Sequence, residues 1–197
     1  SGGSAFGLDA CSGVANTLRS MGRGFPVGNI KIPLVPGAII FDMINGGAKD
    51  WDANPYATLG SQALGNAASD FDIGSHGAGT GAVAGDMKGG LGSASCVLPD
   101  GTTVGALVVA NPLGNVASLN GHLWAAPFET DGEFANTPPT GEKNLARTHS
   151  SAKLAAMMAH VERANTTIAL VATDAGLSKA QCQRMATAAH DGITRAI

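Results

Sequence analysis

Asn165-Thr166 stands between a helix-patterned segment and the apolar stretch Ile168-Ala169-Leu170-Val171-Ala172. A self-cleaving hydrolase would keep its nucleophile at such a junction. Hydrolysis between Asn165 and Thr166 would free the α-amine of Thr166, which could then act as base beside its own hydroxyl. The same residues also suit a plain turn at Asn165 and a strand opening at Thr166. Asn111 closes a Val104–Ala110 strand pattern just before Pro112. It reads either as a turn former or as an amide donor aimed at a developing oxyanion. Lys88, in Asp86-Met87-Lys88-Gly89-Gly90, is a lone cation among small residues and, taken alone, reads as a solvated lysine at a turn.

Other chemistries fit less well. The Gly-rich run His76-Gly77-Ala78-Gly79-Thr80-Gly81-Ala82 invites a phosphate-binding reading. A P-loop needs Ser or Thr after its Lys, and Lys88 is followed by Gly89. A dinucleotide fingerprint needs a strand directly before the glycines, and Asp70–His76 is a poor strand pattern. The glycines read instead as a close backbone approach, or as amides lining a pocket. His76, His122, His149, His160 and His190 do not pair with one another or with carboxylates at metal-ligand spacing. A Ser-His-Asp triad is spatial and stays open, but no GxSxG elbow is present. Cys11, Cys96 and Cys182 are odd in number and widely spaced, so they read as reduced, buried residues and point to the cytoplasm.

The elements that must hold these residues follow from periodicity. Residues 8–23 carry Leu8, Cys11, Val14, Ala15, Leu18 and Met21 at helical spacing. Ile30–Pro36 alternates loosely and is broken by prolines, and Ile39-Ile40-Phe41-Asp42 is a short buried strand candidate. Residues 46–55 read as loop and Leu59–Ala68 as a small-residue helix. Pro99-Asp100-Gly101 separates two strands, 89–98 and 102–110, in a hairpin pattern. Residues 126–149, with Pro127, Pro138 and Pro139, read as an exposed linker. Ser150–Arg163 is a helix with Leu154, Met157, Met158 and Val161 on its apolar face, and Thr166–Ala172 is a strand. Ser178 and Gln181 form a capping-box pattern opening a helix with Met185, Ala189 and Ile193 on one face. The order implies layered α/β packing around a mixed sheet.

At 197 residues the chain is long enough for one domain with a substantial core. A charge of −3, a charged fraction of 14% and no basic run argue against nucleic acid. No apolar run reaches membrane-spanning length. The chain opens Ser1-Gly2-Gly3-Ser4 without Met and stops at Ile197 inside a helical pattern, so it reads as a piece of a longer protein.

Four segments in order carry a resemblance through nearly the whole chain. They are Gly2-Gly3-Ser4-Ala5-Phe6-Gly7-Leu8; Gly77-Ala78-Gly79-Thr80-Gly81 with Lys88-Gly89-Gly90; Val108-Val109-Ala110-Asn111; and Asn165-Thr166-Thr167-Ile168 with Ala172-Thr173-Asp174. Together they resemble the family of the L-aminopeptidase/D-esterase, the β-peptidyl aminopeptidases and the 6-aminohexanoate-oligomer (nylon oligomer) hydrolases. The resemblance implies an αββα four-layer sandwich of the N-terminal-nucleophile type, of which this chain would be a fragment. It implies one self-processing hydrolase domain over 1–197, with 1–165 in the large subunit and 166–197 opening the small one.

By that resemblance, Thr166 is the nucleophile after cleavage at Asn165, Lys88 assists, and Asn111 faces the oxyanion. Gly2, Gly3, Phe6, Phe41 and Gly79 would line the substrate site. Phe41 falls where the nylon enzyme has a Tyr, a departure that removes a hydroxyl and argues against nylon oligomers. The family's strands before Gly-Gly-Ser, and its acidic motif after the last helix, lie outside this chain. The implied reaction is hydrolysis of a small peptide or amide, with no metal or organic cofactor required. A homo-oligomer is implied by the family and by Ala/Gly-rich surfaces. Two other readings stay open: an acyltransferase of the ornithine acetyltransferase type, and a non-catalytic binding module using the Gly-rich loop.

Overall fold

The structure, a computed structural model, describes residues 1–118, 120–134, 151–160 and 165–197. A 3-10 turn, Ser4–Leu8, leads into helix α1, Asp9–Ser20. A small antiparallel ribbon pairs β1, Phe25–Val27, with β2, Ile30–Ile32. Helix α2, Tyr56–Gly65, packs on α1 through glycines: a Cβ on Gly13 would strike the Ala57 carbonyl, and one on Gly60 the Ala10 carbonyl. The contact therefore brings backbone against backbone, and adding methyls would push the helices apart.

Next come the Gly77–Gly79 turn and a short ribbon of β3, Val83–Ala84, with β4, Met87–Lys88. Strands β5, Gly90–Val97, and β6, Thr103–Asn111, form the hairpin expected around Pro99-Asp100-Gly101. Helix α3, Ala152–His160, precedes strand β7, Thr166–Thr173. Helices α4, Lys179–Ala188, and α5, His190–Ala196, end the chain. The main sheet runs β5-β6-β7 with β6 central, and both of its ladders are antiparallel. Helices and strands thus form an α+β arrangement, and among the described residues the sheet is antiparallel, not mixed as the sequence suggested.

The core lies on one face of that sheet. Leu91 on β5, Val109 on β6 and Ile168 on β7 are register partners, so they form one cross-strand row. Ile40, Ala82 and Val109 are buried together, with Ala78, Leu91 and Ile168 packed against them. This cluster draws the 39–42 segment and the Gly-rich loop onto the sheet.

Four local expectations change. Ile39–Asp42 forms no strand; Ile40 bonds only to Ser1 O (2.9 Å) and from Ser4 N (3.1 Å), too few bonds to make a ladder. Ile30–Ile32 gains a partner strand because Gly28, at φ 56°, closes a tight turn from Phe25–Val27. Of the 126–149 linker, the described part includes a 3-10 turn at Ala126–Phe128 with Ala126 buried, while 135–149 lies outside the described residues. The last helix breaks at Ala189, where the His190 ring nitrogen meets the Ala186 and Thr187 carbonyls (3.1 and 3.2 Å). Met185, Ala189 and Ile193 still share its less exposed side. The Ser178–Gln181 capping box forms as read.

Candidate functional site

Strand register places Asn111 directly opposite Thr166, at one end of the β6–β7 ladder. They lie two residues beyond buried Val109 and its half-buried partner Ile168, hence on the same sheet face. Asn111 is completely buried; Thr166 is half-buried and Asn165 exposed.

Phe41 joins the two side chains through its backbone. Its N–H donates to Thr166 Oγ1 (3.3 Å), and its carbonyl accepts from Asn111 Nδ2 (2.8 Å). The 39–42 segment is held there by buried Ile40 and by buried Asp42, whose Oδ1 accepts from Gly3 N (2.7 Å). A Cβ on Gly2 would come within 2.6 Å of Asp42 Oδ2, and one on Gly81 within 2.5 Å. The Gly-Gly motif and the Gly-rich loop thus close around one carboxylate, and larger residues would expel it.

Asn111 Oδ1 collects donors from three directions. Val83 N (3.0 Å), Lys153 Nζ (2.9 Å) and Asn45 Nδ2 (3.3 Å) all point at it. Lys153 also donates to Val83 O (2.6 Å), Asn111 O (2.9 Å) and Pro112 O (3.0 Å), and is only 8% exposed. Burial lowers its ammonium to about 8. Just before it, Ser151 Oγ accepts from Leu154 N (3.0 Å), an N-cap contact, and Ala152 N donates to Asp86 Oδ1 (2.5 Å). The opening of α3 is therefore fixed both to the β3–β4 turn and to the end of β6.

Lys153 was not singled out by the sequence. Helical spacing put Leu154, Met157, Met158 and Val161 on the inner face of this helix, yet Met158 is 84% exposed. Val161 lies outside the described residues. A faint signal was available: Ser150-Ser151-Ala152-Lys153 has a capping serine with a lysine in the first turn, where the helix dipole disfavours a cation. A cation there needs oxygens from elsewhere.

Lys88 behaves differently. It is exposed on β4 and donates to Thr80 O (2.8 Å), opposite Val83 in the ribbon. That places its backbone one strand from the Val83–Asn111 bond, while its ammonium bonds the Gly-rich loop rather than Asn111 or Thr166. Gly79 is buried, and a Cβ there would strike Gly74 O and Leu91 N. The amides of Gly79, Thr80 and Ala82 are used in local turns, so this loop acts as packing against β5. Phe6 is half exposed and stacks edge-on against Trp51, with centroids 5.1 Å apart. Gly3, at φ 85°, abuts the Tyr56 ring, whose phenol is pushed up by burial and then by the Asp42 charge.

Of the residues read from the sequence, the structure thus gathers Thr166, Asn111 and Phe41 at one point, with Gly2 and Gly3 next to it through Asp42. Gly79 and Phe6 pack at its margins. Among the described residues no group of three His, Cys, Asp or Glu is placed to hold a metal ion. No helix among them is long and apolar enough to cross a membrane.

Comparison with known proteins bears on this arrangement. The model of peptidase family S58 matches residues 1–197. An uncharacterized aminopeptidase of Mycobacterium bovis is 43% identical over 197 residues, covering all of this chain and 55% of its own length. One from Mycobacterium tuberculosis strain H37Rv matches to the same extent. Another from Mycobacterium leprae is 42% identical over 206 residues, covering all of this chain and 53% of its own length. The chain therefore spans about half the length of the curated relatives it matches. The family match agrees with the resemblance carried by the ordered motifs, and the chain belongs to peptidase family S58.

Proposed function

We propose that this chain is part of an autoprocessed aminopeptidase-like amide hydrolase. Its nucleophile is Thr166, set free by cleavage of the Asn165–Thr166 bond. The observation that carries the reading is the pairing of Thr166 with buried Asn111 across β6 and β7, bridged by the Phe41 peptide. The mycobacterial relatives are named as uncharacterized aminopeptidases, which supports this reaction class.

The chemistry runs from the residues upward. A free α-amine titrates close to neutrality, so it can take the Thr166 hydroxyl proton. The hydroxyl oxygen attacks the amide carbonyl of a small peptide, forming an ester and releasing the amine. Asn111 Nδ2 carries two hydrogens, one of which goes to Phe41 O. The other is the donor for the oxyanion, a contribution of roughly 3 kcal/mol to the barrier. Water then releases the acid. Lys88 assists from the Gly-rich loop side, and Gly2, Gly3, Phe6, Phe41 and Gly79 shape the substrate end. The complete domain is an αββα sandwich, with 1–165 in the large subunit and 166–197 opening the small one. The working form is a homo-oligomer in the cytoplasm, a compartment inferred from cysteine usage; Cys96 and Cys182 are exposed and Cys11 half-buried, not buried as the sequence suggested.

The test uses the full-length protein and a panel of aminoacyl p-nitroanilides. Thr166→Ala is expected to abolish both chain cleavage and hydrolysis, lowering turnover by at least about 10³-fold. Retention of both activities in that variant would remove Thr166 from the mechanism. Acetyl transfer to an amino acid exceeding hydrolysis would instead favour the acyltransferase reading.

A further inference from the structure

Lysine is among the residues least often buried, and when buried it needs partners. Lys153 has four oxygen partners, and two of them belong to Asn111. A third, Pro112 O, is the next carbonyl along the chain. The fourth is the carbonyl of Val83, whose own N–H bonds the same Asn111 Oδ1. Lys153, Val83 and Asn111 Oδ1 therefore close a ring of three hydrogen bonds. This is more than is needed to fasten a helix to a sheet.

We propose that Lys153 is a positioning residue: its ammonium, by donating to Asn111 Oδ1, fixes the Asn111 carboxamide with Nδ2 facing the Phe41 peptide that holds Thr166. The inference rests on the reading of Thr166 as nucleophile and Asn111 as oxyanion donor. A carboxamide can be placed two ways round, and its partners decide which. An ammonium has donors only, so the atom facing Lys153 must be the oxygen. Flipping the amide would set NH2 against the Lys153 ammonium and the Val83 N–H, and would set the amide oxygen against the Phe41 carbonyl. A cation on Oδ1 also draws charge from the amide, which strengthens Nδ2–H as a donor. The hydrogen bonds of Lys153 go to Val83, Asn111 and Pro112 and none goes to Thr166, so its effect passes through Asn111.

The experiment is a double-mutant cycle in the full-length protein. Lys153→Met, Asn111→Ala and the double variant are compared for rate of chain cleavage, and for kcat and KM on an aminoacyl p-nitroanilide hydrolysed by wild type. Thr166→Ala is the control. Lys153→Met is expected to slow cleavage and lower kcat by about 10- to 100-fold, bounded by the worth of the donor it orients. KM should stay within about twofold, and the double variant should be no slower than Asn111→Ala alone. A kcat unchanged by Lys153→Met overturns the proposal, as does a loss of the same factor in the Asn111→Ala background.

If the methionine variant does not fold, Lys153→Arg carries the test, because arginine keeps a cation that only donates. Near-normal kcat, or a loss that vanishes in Asn111→Ala, supports positioning. A loss that persists undiminished in Asn111→Ala refutes it. Activity surviving in Thr166→Ala would instead count against the hydrolase reading itself, a result distinct from either lysine outcome.

Discussion

Lys88 and Lys153 stand on opposite sides of Val83 and could hardly differ more. Lys88 pairs with Val83 across the β3–β4 ribbon, is exposed, and gives one hydrogen bond to Thr80 O. Lys153 reaches the carbonyl of Val83 from α3, is 8% exposed, and bonds four oxygens at the end of β6. Motif order marked the first; only assembly of the chain reveals the second. A surface lysine can be exchanged at little cost to the fold, so its value lies in what it does to a substrate. A buried lysine is part of the fold, and its removal leaves several acceptors without a donor.

That contrast orders the expected effects on stability. Lys153→Met should lower the unfolding free energy by about 2–4 kcal/mol in urea titration, because Val83 O, Asn111 O, Pro112 O and Asn111 Oδ1 all lose a donor. A loss below about 1 kcal/mol would mean that water or a local shift replaces the ammonium. Gly79→Ala comes next, at about 1–3 kcal/mol, since its methyl would meet the Gly74 and Leu91 backbone. An unchanged melting temperature there would argue that the Gly-rich loop is free to move, contrary to its packing against β5. Lys88→Met should cost no more than about 0.5 kcal/mol. Its signature should be a fall in turnover with stability intact, so full activity in that variant would remove Lys88 from the site.

A pH experiment separates the two lysines further. Burial lowers the Lys153 ammonium to about 8, below an ordinary lysine. Between those two values the unfolded chain still holds a proton that the native chain has released. The Lys153 contribution therefore makes the unfolding free energy rise with pH across that window. The rise should be missing in Lys153→Met and retained in Lys88→Met, as read by urea titrations at several pH values above 8. Parallel curves for wild type and Lys153→Met would show that the ammonium keeps an ordinary affinity for its proton.

Much of the frame was legible in the residues. Pro99-Asp100-Gly101 specified the β5–β6 hairpin, the Ser178–Gln181 box opened α4, and the apolar run after Thr166 formed β7. Asn111 and Thr166 were each placed at a strand end by local pattern. Their facing each other was not local, since it depends on antiparallel register between strands distant in the chain. Ile39–Asp42 had the composition of a strand, but the Ile40 backbone bonds with Ser1 and Ser4 were too few for a ladder, so it became an extended strut whose Phe41 peptide serves the site. Lys153 was hidden for a similar reason. Its acceptors come from residues 83, 111 and 112, and no window around α3 contains them.

The most direct test of the account is to determine the N-termini of the mature full-length protein by denaturing mass spectrometry and sequencing. The account predicts two fragments, the smaller beginning at Thr166, and a single intact chain in Thr166→Ala. An active wild-type enzyme that remains one uncut polypeptide would contradict it, because Thr166 would then have no free amine to act as its base.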